Sequence, residues 1–167
     1  DAYAMTLAQN VAKIDVELAA SFAADLPPGP GQERAAVAVV QRWAEADPRS
    51  AAEWADSFSG AVRSKAVNQA VQRWATAEPE AAGAWAAGIA EGDVRDSALG
   101  TYVRSSAAQY PDCAAAYAMA ISDPSRRISA VTEVAKSWLK SNRQAAAEWL
   151  LSTDLSENQK TRLLAAK

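Results

Sequence analysis

Apolar residues recur along this chain at the three-and-four spacing of a helix that buries one side. Ala35-Ala36, Val39-Val40 and Trp43 form one such set, and Ala66-Val67, Ala70-Val71 and Trp74 repeat it 31 residues later. Each set is followed by a proline and then by a second stripe. Ala51, Trp54, Ala55 and Phe58 lie behind Pro48, and Ala82, Trp85, Ala86 and Ile89 lie behind Pro79. Looser copies of the second stripe are Ala19, Phe22, Ala23, Leu26, then Ala114, Tyr117, Ala118, Ile121, then Ala146, Trp149, Leu150, Thr153. Each i, i+3, i+4, i+7 set predicts one amphipathic helix.

The prolines, or their equivalents, give the register: Val16, Pro48, Pro79, Pro111 and Arg143, spaced 32, 31, 32 and 32 residues apart. A fixed period of this size is the signature of stacked helix pairs. The first helix of a pair must stop before the proline, because the preceding residue is pushed out of the α region. Asp47 then suits an N-cap, Pro48 the first helical position, and Asn142 before Arg143 repeats the arrangement without proline. Glu78 and Tyr110 are poorer caps. Breakers separate the pairs, and the longest, Pro27-Pro28-Gly29-Pro30-Gly31, is the best candidate for a flexible joint. Ser156-Glu157-Asn158-Gln159 is a capping-box pattern, and KTRLLAAK behind it resembles a first helix cut before its tryptophan. The expected organisation is one domain over residues 1–167, with units at 1–30, 31–61, 62–93, 94–124 and 125–155 and a partial unit at 156–167.

In this register two columns stay small. Ala35, Ala66, Ala98 and Ala130 precede the mark by thirteen residues, and Ala51, Ala82, Ala114 and Ala146 follow it by three. Such columns predict helices meeting at the close end of the packing range. The tryptophans beside them are read as core anchors of stacking rather than as an exposed platform for ligands. Ser106 breaks the pattern by replacing the tryptophan of the third proline-marked unit, so Tyr102 or Tyr110 fills the gap or a recess remains.

Composition sharpens the class. Alanine makes up about a quarter of the 167 residues and strand-favouring runs are missing, so the chain is all-α. Net charge is −3, which argues against a nucleic-acid partner. No apolar run is long enough to span a membrane. There is no histidine, hence none of the commonest general base and metal ligand. The single cysteine, Cys113, excludes an intrachain disulfide and is read as a small packing residue. Ser137 and Lys140 match S-x-x-K but lack the partner motifs that make it catalytic. Glu91, Asp93 and Asp96 do not follow calcium-loop spacing and are expected in a solvated turn. No enzyme activity, cofactor or metal is expected.

Two basic columns are left as candidates for partner binding. Arg63, Arg95 and Arg127 precede the mark by sixteen residues, with Gln32 in the remaining unit. Arg42, Arg73 and Arg104 precede it by six or seven, with Lys136. Stacked units would set these out as ridges, which either pair with acids such as Glu33, Asp96 and Glu133 or face an acidic partner.

At the level of W-A-x-x-x-P-x-x-A-A-x-W the chain resembles tetratricopeptide-like and HEAT-like solenoids, although its period is shorter than 34 and its proline opens the second helix. It is more similar to uncharacterised W-A-x-x-D-P-x-A-A-x-W arrays of large bacterial proteins of the Verrucomicrobia type, whose L-P-x-G turns match Leu26-Pro27-Pro28-Gly29. The resemblance implies a fold and carries across no functional residue. The expectation is a right-handed α-solenoid of about five antiparallel helix pairs plus a C-terminal helix. It would bind a protein or peptide as a scaffold within a longer chain. A structural spacer is the alternative, and a nucleic-acid-binding array a more distant one.

Overall fold

The computed structural model describes residues 2–165, and the described residues form eleven α-helices and no strand. They gather into two compact units that divide between Glu78 and Pro79. The division falls inside the expected 62–93 repeat.

The first unit holds α1 (Ala2–Ala12), α2 (Val16–Asp25), α3 (Pro30–Trp43), α4 (Pro48–Asp56) and α5 (Gly60–Ala77). Helix α1 packs on α3 and α3 on α5, while α2 and α4 flank this row. The second unit holds α6 (Pro79–Gly88), α7 (Asp93–Ser106), α8 (Pro111–Met119), α9 (Pro124–Ser141), α10 (Arg143–Ser152) and α11 (Glu157–Ala165). There α7 packs on α9 and α9 on α11, with α6, α8 and α10 alongside. Within each unit, then, helices that precede a mark touch their counterparts one repeat away.

Local chemistry sets the boundaries. The Asp47 carboxylate accepts from the Ser50 amide at 3.0 Å and from its hydroxyl at 2.6 Å, which holds that carboxyl below its usual range. Asn142 accepts from the Ala145 amide at 3.1 Å, and Asp15 from the Leu18 amide at 2.9 Å just before Val16. Tyr110 makes no side-chain cap, and Pro111 alone marks that start. The box before α11 closes from both sides, Ser156 N to Gln159 Oε1 at 3.0 Å and Gln159 N to Ser156 Oγ at 3.3 Å. The proline-glycine run is a shorter joint than expected. Helix α3 already begins at Pro30, because proline fits the first helical position, and only residues 26–29 separate it from α2.

One regularity escaped the sequence reading. Gly29, Gly60 and Gly92 all lie nineteen residues before a mark, and all three have positive φ (154°, 56° and 142°). Each sits at the entrance to a helix, where the chain reverses through a conformation that L side chains rarely adopt. Gly92→Ala is therefore expected to destabilise by about 1–3 kcal/mol, although nothing lies within 4 Å of an added Cβ. Gly88→Ala, at the end of α6 with equal room and an ordinary φ, is expected to gain about 0.4–1 kcal/mol. Urea denaturation of the two variants checks the pair, and equal effects would refute the backbone explanation.

The alanine columns are buried throughout: Ala35, Ala66 and Ala98 fully and Ala130 nearly so, with Ala51, Ala82, Ala114 and Ala146 fully. The tryptophans depart from expectation. Only Trp74 is buried, and Trp43, Trp54, Trp85, Trp138 and Trp149 are half-buried. Helices packed closely on alanine leave a narrow interior, which apart from Trp74 and Tyr102 is filled by smaller side chains. These are Val39, Val40, Val67 and Val71 in the first unit, and Leu99, Val103, Ile121, Val131, Val134 and Leu150 in the second. Each contributes about 1.5–3 kcal/mol of burial. Tryptophans instead pair at the flank of a helix pair. Trp43 meets Trp54 at 5.9 Å between ring centroids, and Trp138 meets Trp149 at 5.7 Å, both tilted by 44°.

Candidate binding surface

The first basic column turns inward. Arg63 binds Asp56, at the end of α4, through Nη2 at 2.8 Å and Nε at 2.9 Å. Arg127 donates from Nη1 to the carbonyls of Ile121 (2.9 Å) and Ser122 (3.4 Å), beyond the end of α8, and reaches Asp154 through Nη2 at 2.9 Å. Gln32, the uncharged member, donates to the Ala24 carbonyl in the last turn of α2 at 3.1 Å. All three reach back to the C-terminal end of the preceding helix, where carbonyls lack intrahelical donors and the helix dipole favours positive charge. Arg95 donates instead to the Ala120 carbonyl at 2.9 Å, at the end of the following helix, and pairs with Glu91 at 3.1 Å. Arg63, Arg95 and Arg127 thus act as helix-end clamps, with partners other than those anticipated for them.

Asp96 is a second departure. It was expected in a solvated turn, yet it is only 4 % exposed. Its two carboxylate oxygens accept from the Ser122 amide at 2.9 Å and the Asp123 amide at 2.7 Å. Helix α7 turns it away from water and toward the α8–α9 connection. Arg95, Asp96 and Arg127 between them hold residues 120–123. Nothing in the spacing of acids along the chain distinguishes an acid aimed at backbone amides from one facing solvent.

The second column stays on the surface. Arg42 pairs with Glu45, three residues on in the turn that follows α3, and both side chains are exposed. Arg73 is exposed on α5 beside Gln41, Gln69, Gln72 and Thr76, which line a shallow polar hollow of about 330 Å³ between α3 and α5. Arg104 is exposed on α7 and donates from Nη2 to the Thr101 hydroxyl at 2.8 Å. It lines a larger groove of about 510 Å³ between α7 and α9, together with Gly100, Arg126, Ser129 and Glu133. Arg126 was not singled out from the sequence, where Arg127 beside it drew attention as part of a column. Its Nη2 lies 3.2 Å from the carboxylate of Asp93, which is itself almost wholly in water. Such a pair contributes little to stability and is readily exchanged.

Ser106 is itself fully buried. Tyr102 is fully buried and stands edge-on to Tyr117 at 5.0 Å, so a tyrosine pair takes the place of the tryptophan pair. Tyr117 in turn presses on Gly83 of α6, where an added Cβ would lie 2.3 Å from the ring. Burial pushes the Tyr102 phenol up to about 12, a rise that the neighbouring Ser106 hydroxyl opposes. Among the described residues the phenol oxygen has no well-formed hydrogen bond, while Ser106 donates to the Tyr102 carbonyl at 2.8 Å. Burial also raises the Cys113 thiol, and Asp112 and Glu80 add to the effect. That outweighs any lowering by its position in the first turn of α8. Among the described residues no three metal-ligating side chains converge, and no helix is long and apolar enough to cross a membrane.

The molecule is thus an all-α protein whose described polar hollows include two between helices one repeat apart. No family model, curated protein or solved structure matches the chain.

Proposed function

We propose that the chain is a non-enzymatic scaffold of the helical-repeat class, which binds a protein or peptide partner. The 31–32-residue helix pairs are read as a right-handed α-solenoid of the Trp/Ala-rich bacterial type, forming part of a longer array. Packing of α1 on α3, α3 on α5, α7 on α9 and α9 on α11 supports that reading. The observation that carries the function is the groove between α7 and α9. Its volume of about 510 Å³ suits a ligand, and Arg104 on its wall has donors beyond its one bond to Thr101. Arg63, Arg95 and Arg127 are assigned to structure, and the binding role is given to Arg42, Arg73 and Arg104.

Selection from a displayed random-peptide library on the immobilised full chain tests the proposal. Enriched peptides are expected to bind the Arg42→Glu/Arg73→Glu/Arg104→Glu variant about tenfold or more weakly. Arg49→Glu, which changes an exposed arginine paired with Glu53, should leave them unaffected. No enrichment above that on an unrelated helical protein would overturn the reading in favour of a structural spacer.

A further inference from the structure

Resting on the binding-scaffold reading, we propose that the α7–α9 groove receives the carboxylate of an acidic side chain in a partner peptide. A comparison inside the chain supports it. In the first unit, α3 and α5 occupy the corresponding repeat positions, and their cleft is crossed by an ion pair, Lys65 Nζ to Glu33 Oε1 at 2.6 Å. The residues in the same register of the second unit are Ser129 and Asp96. Ser129 is too short to bridge the cleft, and Asp96 is committed to two backbone amides. Eleven residues before the mark, Val37, Asn68 and Thr132 have side chains, whereas α7 has Gly100. A Cβ there would meet only the Arg104 guanidinium, at 3.5 Å. Three changes therefore widen this cleft relative to its counterpart, which is bridged at Glu33 and Lys65 and has a smaller hollow of about 330 Å³ at Gln41 and Gln72.

The same cleft gains arginines. Arg104 stands where the units marked at Pro48 and Pro79 have Gln41 and Gln72, and Arg126, in the unit marked at Arg143, stands where the three proline-marked units have Gly31, Val62 and Val94. Among the described residues Arg104 uses one of its five N–H donors, on Thr101, and Arg126 is held by Asp93, through Nη2 to the carboxylate and Nη1 to the main-chain carbonyl, both at 3.2 Å. Both can turn a planar pair of donors toward a carboxylate. Glu133 on α9 lines the same groove and makes no ion pair or hydrogen bond among the described residues. With Asp96, and with Asp93 paired to Arg126, it leaves the groove no excess of positive charge. The arginine donors rather than net charge therefore select the ligand, a doubly charged phosphate is repelled more than a single carboxylate, and Glu133 can accept an N–H from the peptide backbone beside it. The net balance also disfavours a polyanion, which needs an excess of positive charge.

The test uses the uniformly ¹⁵N-labelled full chain and three pools of acetylated, amidated pentapeptides with randomised flanks. The central residue is Glu, Gln or phosphoserine. The Glu pool is expected to shift the Gly100 and Ser129 amides and the Arg104 Nε–Hε signal, with the Gln pool about tenfold weaker. Arg104→Gln should weaken the response about tenfold. Gly100→Val, which restores the side chain found at Val37, should abolish it while the helical circular dichroism stays unchanged. Ser129→Lys provides a second way of refilling the cleft. Equal binding of the Gln pool, or tighter binding of the phosphoserine pool, would overturn the carboxylate assignment. A response that survives both refilled variants would overturn the groove, as would no response to any pool. Library-selected peptides that bind without moving the Gly100 signal would refute this site and leave the scaffold reading standing.

Discussion

Asp96→Ala is expected to cost the second unit about 3–6 kcal/mol, because two hydrogen bonds to a carboxylate are worth about 1.5–3 kcal/mol each. The side chain is 4 % exposed and accepts from the Ser122 and Asp123 amides at 2.9 Å and 2.7 Å. Removing it leaves both donors without that partner in a connection that Arg95 and Arg127 also hold by its carbonyls. Asp96→Asn retains one acceptor oxygen and should lose roughly half as much. Urea denaturation measures the loss, and amide hydrogen exchange at Ser122 and Asp123 locates it. A cost below about 1 kcal/mol for the alanine variant would show that water replaces the carboxylate easily, contrary to this account.

Tyr102→Ala is expected to cost about 3–5 kcal/mol, the range for emptying a large aromatic site in a core. The ring is fully buried, and it backs Tyr117, which fills the space over Gly83. Tyr102→Phe should be close to neutral at pH 7, because it keeps the ring and removes an oxygen that has no well-formed hydrogen bond. The two variants differ again in alkali. A phenol raised to about 12 in the folded state, against about 10 in the unfolded chain, favours folding fully below pH 10. That contribution is lost as the pH rises through about 12, because the unfolded chain ionises first. The loss is at most roughly 2–3 kcal/mol across the window. Tyr117, also raised by burial, acts in the same direction, so Tyr102→Phe should flatten the decline in part. Denaturation midpoints between pH 9 and 12 provide the check. An unchanged slope would rule out Tyr102 as its source.

Much of the fold was legible because helix starts and small-residue columns are local or periodic properties. Asp47, Asn142 and the Ser156–Gln159 box act within three residues of themselves, so their bonds could be anticipated one by one. The alanine columns were legible because any larger residue would have broken the period. The tryptophans misled, since size and apolarity do not say whether a ring lies between helices or across their edge. Side-chain direction was the other blind spot. Arg127 and Arg126 are adjacent, yet one caps the end of α8 and the other lines the groove. Arg127 donates to the carbonyls after α8 and Arg126 to that of Asp93, a choice set by the packing of helices tens of residues apart. The glycines nineteen residues before the mark offered a usable signal: three in one column, at helix entrances, point to positive φ.

The tryptophan pairs have an optical consequence. Indoles held at 5.9 Å and 5.7 Å with the same 44° tilt couple their transitions, and each pair belongs to a different unit. Changing Trp43 is expected to silence the couplet of the first pair in circular dichroism, and changing Trp138 that of the second. Each half of the chain thus carries an intrinsic chromophore with which its melting can be followed separately, without an added label.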